Sequence, residues 1–366
     1  MKTTNYLFAV ILFVTMTFEL IAQVNLPRGS QQATLSQRIG ISDVTIVYSR
    51  PSVNNREVWG KLVPYGMNNL GFGSAKESPW RAGANENTTI TFSHDAKIEG
   101  EAIGAGTYGF HVEVVDDKNA NIILSNDAEA WGSYFYDPSK DALKVGVKTK
   151  AVSHKELLTY EVNTLDANYA IVSLVWEKKE IPFKVEFDVK DIVLNEFRTK
   201  SKGNLGFTRQ NWEQAANYAL NNSGDLNEAL GWIDGAISGN FYSEKTFNNL
   251  QIKSQILNKL GNEAESAKAM DEALEIATIF QVHQYGRTLI ASQKNDKAMK
   301  VFEMNAKKNK GQWPVHYGLA RGYSAKGDYK TALKHLKIAL SNAPNEASKG
   351  RVQANIEKLQ KGKDIN

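Results

Sequence analysis

The chain has 366 residues, room for two domains of ordinary size. Its 44 Lys plus Arg against 40 Asp plus Glu leave a net charge of +4, too mild to imply nucleic-acid binding, and 42% hydrophobic with 23% charged residues excludes global disorder. No cysteine is present, which excludes disulfides, thiolate metal sites, a cysteine nucleophile and a lipid anchor on an N-terminal cysteine.

The first segment reads as an export signal. Lys2 precedes Tyr6 to Phe18, an uncharged run of 13 residues dominated by Leu, Phe, Val and Ile. The run is short for a span of a ~30 Å hydrocarbon core, and Ala22 offers a small residue for a cut before Gln23. A signal peptide over 1–22 is therefore expected; Glu19, close to the cut, keeps an uncleaved anchor as the alternative. No later stretch is apolar enough to span a membrane. The mature chain is expected to be exported, periplasmic or secreted, and not lipid-anchored. Export without cysteine suits a bacterial envelope better than a disulfide scaffold.

Residues 23–190 have the texture of a β domain. Val44–Tyr48, Thr88–Phe92, Tyr108–Val115, Ile122–Leu124, Lys144–Val152, Leu157–Val162, Ala170–Trp176 and Phe183–Val189 are β-branched and aromatic runs separated by Gly, Asn and Asp. Short strands at near-regular spacing predict an antiparallel β-sandwich-like domain or a barrel. Asn54 to Ala84 interrupts them as a long structured loop, the kind that is functional or mobile. Residues 191–210 read as a linker.

From 211 to 360 the pattern becomes helical and repeats. Ala229, Ser266, Ala298 and Ala332 are separated by 37, 32 and 34 residues. Each is followed four residues on by a large apolar residue (Ile233, Met270, Phe302, Leu336), then by Ala236, Ala273, Asn305 or Ala339. A period near 34 with this small–large–small order predicts stacked helix-turn-helix units. Ala320, Tyr323, Gly327, Tyr329, Ala332, Leu336, Ala339 and Pro344 make the fourth unit resemble a tetratricopeptide repeat. The third departs at Asn305, and Asn217 and Ser254 replace a small Gly or Ala in the first two. The resemblance spans 211–344 and implies an α-solenoid with a concave face for protein or peptide and no activity of its own. Candidate partner-facing residues are Asn217, Lys253, Tyr285 and Tyr317. Glu346 to Gln360, with Val352, Ile356 and Leu359 on one face, reads as a capping helix, and 361–366 as a tail.

The β region carries distinctive phrases: Tyr48 to Val53, Arg56 to Gly66, Trp80 to Thr89, Ala105 to Tyr108, Trp131-Gly132, Tyr136-Asp137 and Asp141. Over about 30–187 these resemble the bacterial exported family known as domain of unknown function 2911. Met67 to Pro79 is longer than the family's usual link. The resemblance implies fold, compartment and company with helical repeats, but no reaction.

The densest polar group in that region is Arg50, Arg56, Trp80, Arg81, Asn85, Glu86, Asp137 and Asp141. Guanidinium forks grip carboxylate or phosphate, and indole faces stack on sugars. Two readings follow. Either this group clamps an anionic or carbohydrate ligand, with hydrolysis open to converging carboxylates, or the arginines pair with Glu86, Asp137 and Asp141 and pin the long loop. His94, His111 and His154 lack metal-ligand spacing, and no Gly-x-Ser-x-Gly elbow occurs. Gly104 to Gly109 precedes a strand rather than a helix, so it is a turn and not a phosphate cradle. No metal, cofactor or catalytic residue is expected. Residues 294–366 hold 16 Lys plus Arg against 6 Asp plus Glu, a net +10, so this end suits an anionic surface or an acidic partner if it is more than a solvated face. The sequence thus points to a non-enzymatic envelope scaffold that binds protein or peptide through its repeats. The alternative is a small-ligand or carbohydrate-binding β domain with an accessory repeat domain.

Overall fold

A computed structural model describes residues 26–366; the expected signal segment and its cut between Ala22 and Gln23 lie outside them. The chain divides into two compact units, one ending at Val189 and one beginning at Lys190.

Among the described residues the first unit has ten strands: β1 (Gln31–Ile39), β2 (Ser42–Arg50), β3 (Thr89–Phe92), β4 (Ala96–Ile98), β5 (Glu101–Ile103), β6 (Gly106–Val114), β7 (Asn119–Ser125), β8 (Asp141–Lys148), β9 (Lys150–Leu165) and β10 (Tyr169–Glu186). They form two antiparallel sheets, ordered β1-β2-β3-β6-β7-β8 and β5-β4-β10-β9. Alternation decides which faces turn inward: Ser42, Val44, Ile46 and Tyr48 of β2 are buried while the residues between them are not. The two sheets share a core. Phe110 of the first sheet meets Tyr160 and Phe183 of the second at ring distances of 5.8 and 5.4 Å.

Two boundaries differ from the sequence reading. Lys144–Val152 is not one strand: the chain leaves the first sheet at Lys148 and enters the second at Lys150, with Thr149 alone between them. Thr149 is held by its amide on the carbonyl of Lys118, at 3.0 Å. Conversely, Ala170–Trp176 and Phe183–Val189 belong mostly to one strand, β10, which stays paired with β9 through register shifts around Glu177. Those bulges let the charged stretch Glu177 to Glu180 interrupt an apolar pattern without ending the strand.

The second unit contains α1 (Val189–Lys200), α2 (Arg209–Asn221), α3 (Leu226–Ile237), α4 (Phe247–Lys259), α5 (Glu263–Ile276), α6 (Ile279–Ala291), α7 (Asn295–Lys308), α8 (Trp313–Ala325), α9 (Tyr329–Ser341) and α10 (Glu346–Gln360). The segment 191–210, expected as a linker, is mostly helix. Leu194 and Phe197 lie three apart on α1 and are buried, and the Phe197 ring meets Trp212 and Trp232 edge-on at 5.1 and 5.0 Å. That apolar pair pulls the segment into the helical core.

The helices stack as α2–α3, α4–α5, α6–α7 and α8–α9, with α10 against α9. Five of their starts carry side-chain caps. Asp225, Thr246, Thr278, Asp328 and Asn345 each accept a hydrogen bond from a first-turn amide, and at Thr246 and Thr278 the box is completed by Asn249 and Gln281. The predicted small–large–small positions are all buried: Ala229, Ile233 and Ala236 on α3, through to Ala332, Leu336 and Ala339 on α9. Where polar residues replace small ones, they find partners. Asn305 donates to the Ile279 carbonyl at the start of α6, at 3.2 Å. Ser254 of α4 and Ser266 of α5 each donate to the other's carbonyl at 2.8 Å.

At the eighth residue of each first helix stand Ala216, Ser254, Gly286 and Ala320, all buried. The first unit is therefore regular at this position. Asn217, read as its small residue, sits one place later and is exposed. At the centre of the stack, the Phe302 ring of α7 is enclosed by glycines. A Cβ on Gly286, Gly318 or Gly322 would lie 2.4, 2.7 or 3.1 Å from it.

Candidate functional site

The long loop of the β unit has no regular strand, yet it is fixed to the sheet. Trp80 and Val112 of β6 exchange backbone hydrogen bonds of 3.0 and 2.8 Å, and the Gly66 amide reaches the Val114 carbonyl at 2.8 Å. Between loop and sheet lies a cleft of about 490 Å³, a size that suits a small molecule. Arg56, Trp80, Arg81 and Asn85 line it, as expected for one of the two readings. Trp176, Tyr134, Asn68 and Ser133 join them, with no local sign in the sequence that they would.

The turn from Trp80 to Asn85 is held away from relaxed geometry. Ala82 is fully buried with φ of 52°, and Asn85 has φ of 61°. A left-handed residue bearing a Cβ costs about 1–2 kcal/mol. Fixed hydrogen bonds offset this. The Ala82 carbonyl accepts from the Tyr160 hydroxyl at 3.0 Å and from Thr88 Oγ1 at 3.3 Å. Trp80 Nε1 donates to the Gly83 carbonyl at 3.2 Å, and Asn85 Nδ2 to the Ser30 carbonyl at 2.9 Å. The Arg81 guanidinium donates to the Asn85 carbonyl and lies 4.9 Å over the Tyr134 ring. It fits there because Gly132, at φ of 63°, has no side chain: a Cβ would sit 2.3 Å from Arg81 Cζ. The cleft floor is aromatic. Trp80 stacks on Trp176 at 5.8 Å and 18°, and Trp59 meets both edge-on.

The remaining candidates lie elsewhere. Arg50 ties the two sheets together, donating to the Leu158 carbonyl (2.9 Å) and to Thr159 Oγ1 (2.7 Å) of β9. Glu86 pairs with Arg28, which holds its carboxyl below the ordinary range. Asp137 caps a short 3-10 turn over Pro138–Lys140. Asp141 accepts from the Tyr136 hydroxyl at 2.6 Å, and burial raises its pKa. Neither sequence reading holds as drawn. The loop is pinned, but Arg56 and Arg81 bind main-chain carbonyls rather than Glu86, Asp137 or Asp141. The carboxylates do not converge on the cleft.

The three histidines of this unit stand apart. His94 bonds to Ser93, and His154 to Glu156. His111 bonds through Nδ1 to Ser133 Oγ at 3.0 Å. Burial, followed by the Arg81 charge, pushes the His111 imidazole down to about 4, so it is neutral. Among the described residues no group of three His, Asp or Glu is placed to hold a metal ion.

On the helical unit the four partner-facing candidates fall into three different rows. Lys253 and Tyr285 are both seventh residues of their helices. Lys253 pairs with Asp234 of α3 at 2.7 Å, and Tyr285 is half-buried. Tyr317 is the fifth residue of α8; it stacks on His283 of α6 at 5.6 Å and 7°, and its hydroxyl accepts from Asn355 of α10 at 2.7 Å. Asn217 is the ninth residue of α2. The ninth residues of α4, α6 and α8 are Gln255, Arg287 and Arg321, so one row of amides and guanidiniums runs along the successive first helices. Asn217, Gln255 and Arg287 are exposed.

Residues 30–185 match the family described as "Protein of unknown function (DUF2911)", so the β unit carries that family's domain. No curated protein matches the chain. Among solved structures, the C-terminal part of a TPR repeat-containing protein from Cytophaga hutchinsonii is similar at 15% identity and a TM-score of 0.33, over 47% of this chain and 67% of that one. A thermophilic TPR protein of Thermus thermophilus (16%, 0.29, over 47% and 91%) and a tetratricopeptide repeat protein from Parabacteroides merdae (16%, 0.29, over 49% and 73%) are also similar. The repeat architecture rests on the helix pairing and buried positions described above. Among the described residues no helix is long and apolar enough to cross a membrane.

Proposed function

We propose that this is an exported, non-enzymatic binding or scaffolding protein of a bacterial envelope, and that its helical unit docks a protein or peptide. The ninth-residue row carries the reading. Asn217, Gln255 and Arg287 repeat once per helix pair, face outward and offer donors and acceptors at one repeat spacing. Side-chain amides and guanidiniums in register satisfy an extended backbone, which has one donor and one acceptor per residue. Export is part of the proposal and rests on the residues before Gln23. The test is capture from envelope extract by the mature chain and by the triple variant Asn217→Ala/Gln255→Ala/Arg287→Ala. A partner retained by the first and lost by the second supports the row; equal retention by both removes it.

A second reading has its own observation. Arg56, Trp80, Arg81 and Asn85 do line one cleft, with an aromatic floor and two guanidiniums. That chemistry suits a ring bearing a carboxylate, such as an acidic sugar. Tryptophan fluorescence titrated with glucuronate and with glucose tests it. A response to the acid alone, lost in Arg81→Gln, supports the cleft as a site. No response to either removes acidic sugars.

A further inference from the structure

The end of the described chain folds back onto α8. Ser324 Oγ donates to the Asp364 carboxylate at 2.5 Å and accepts from the Ile365 amide at 3.2 Å. Arg321 Nη1 donates to the Ile365 carbonyl (3.1 Å) and to Asn366 Oδ1 (3.2 Å), while Asn366 Nδ2 returns a bond to the Arg321 carbonyl at 3.1 Å. The Ile365 side chain is buried with Ala320, Leu336 and Ile356. An acidic residue, an aliphatic residue and an amide therefore lie in sequence along α8, the acid on Ser324 and the amide on Arg321, which continues the Asn217–Gln255–Arg287 row.

The tail satisfies this site incompletely. Arg321 Nη2 donates to the Tyr317 hydroxyl at 3.2 Å, and Nη1, the nitrogen facing the tail, meets only uncharged acceptors there. The Asp364 carboxylate accepts from Ser324 and from Asn366 instead. Beside Asn366 a hollow of about 270 Å³ opens toward α6, lined by Gln284, Arg287, Thr288 and Arg321. Arg287 stands there one repeat away and exposed.

We infer that residues 364–366 are an internal stand-in, and that the site takes an extended acidic peptide with an aliphatic residue beside its first acid. This rests on reading the helical unit as a peptide-docking module. A carboxylate in the place of Asn366 would accept from Arg321 Nη1 where the Asn366 amide oxygen does now, turning a neutral acceptor into a charged one. Packed helices lie about 8–10 Å apart, and an extended chain rises about 3.3 Å per residue. A second acid three residues on therefore meets Arg287. The net +10 of residues 294–366 favours the same partner. Because the tail is tethered, it competes at an effective concentration near the millimolar range and holds the site closed against weak ligands.

The probe is fluorescein-labelled Asp-Ile-Asp-Gly-Gly-Glu, followed by anisotropy, with Asn-Ile-Asn-Gly-Gly-Gln as its neutral control. Three proteins are compared: the mature chain, the same chain ending at Gly362, and the full chain with Ile365→Asp, which releases the tail without removing it. Circular dichroism confirms that each is folded. Removing or releasing the tail is expected to tighten probe binding at least tenfold. Arg321→Gln or Arg287→Gln in the shortened chain is expected to weaken it about tenfold, and added salt to weaken it further. The inference is overturned if the folded, tail-free proteins bind the probe no better than the control. It is also overturned if they bind it no better than the full chain. If an envelope partner is captured through Asn217 and Gln255 while the probe fails, the docking module survives and only the role of the tail falls.

Discussion

In the β unit the candidate site is held by backbone out of its ordinary range. Ala82 and Asn85 sit in the left-handed region, kept there by the Tyr160 and Thr88 hydroxyls on the Ala82 carbonyl and by the Asn85 amide on the Ser30 carbonyl. In the helical unit the candidate surface is held by repetition: a small buried residue and a large apolar one four places on return once per pair. The first arrangement fixes one geometry closely and fails when one contact is lost. The second spreads its support and tolerates polar exceptions such as Asn305 and the Ser254–Ser266 pair, provided they bond across the groove.

The largest effect that can break this contrast is expected inside the repeats. Phe302 is fully buried in its glycine-lined hollow, so Phe302→Ala should cost about 3–5 kcal/mol, read as a lower urea midpoint of the helical far-UV signal. A loss below about 1 kcal/mol would mean that neighbouring repeats close the gap, a more yielding stack than the packing implies. Next comes acid. His111 in the β unit and His283 in the helical unit are both pushed down to about 4, chiefly by burial. An unfolded histidine takes up its proton near pH 6.5. The stability each neutral ring supplies is thus complete above pH 6.5 and is lost as pH falls toward 4, at about 1.4 kcal/mol per unit for each. His111→Gln should flatten that slope for the β unit and leave the share of His283, measured by denaturation from about pH 7 to 4.5.

A smaller effect separates the units again. Gly132→Ala places a methyl on the Arg81 guanidinium and a Cβ at positive φ, and should cost about 2 kcal/mol. The readout is Trp80 and Trp176 fluorescence, which should shift at concentrations of urea where the parent is still native. Smallest is the serine pair. Ser254→Ala leaves the Ser266 hydroxyl one bond to the Ser254 carbonyl and should cost about 1 kcal/mol, whereas the double change to alanine should cost less than twice that, since both polar groups go together. Strict additivity in a thermodynamic cycle would show that the two hydroxyls act separately.

What the sequence revealed follows the same division. The helix pairs were legible because a period near 34 residues samples one environment four times. The phase of α2 was not, because Ala215, Ala216 and Ala219 all qualify as its small residue and only the finished helix start shows that Ala216 aligns with Ser254, Gly286 and Ala320. Helix α1 was hidden by its polar composition; its two buried apolar residues, Leu194 and Phe197, acquire a partner only in Trp212 and Trp232. In the β unit, Arg56, Trp80, Arg81 and Asn85 were found together because they lie in or beside one long loop of the sequence. Trp176 and Tyr134 were not, since tertiary folding rather than local pattern brings β10 and the β7–β8 connection to the cleft. Arg28 was missed as the partner of Glu86 for the same reason, 58 residues separating the two.

Thr149 alone separates β8 in one sheet from β9 in the other. A joint one residue long has no conformational slack, so a tension on either strand is delivered to the other sheet undiminished. Insertions spliced at 148–150 should therefore disorder both sheets at once, whereas the same insertion at the exposed stretch 70–74 would be absorbed as added loop. For anyone wishing to tag, split or permute this chain, the shortest connection in the β unit is the one place to leave whole.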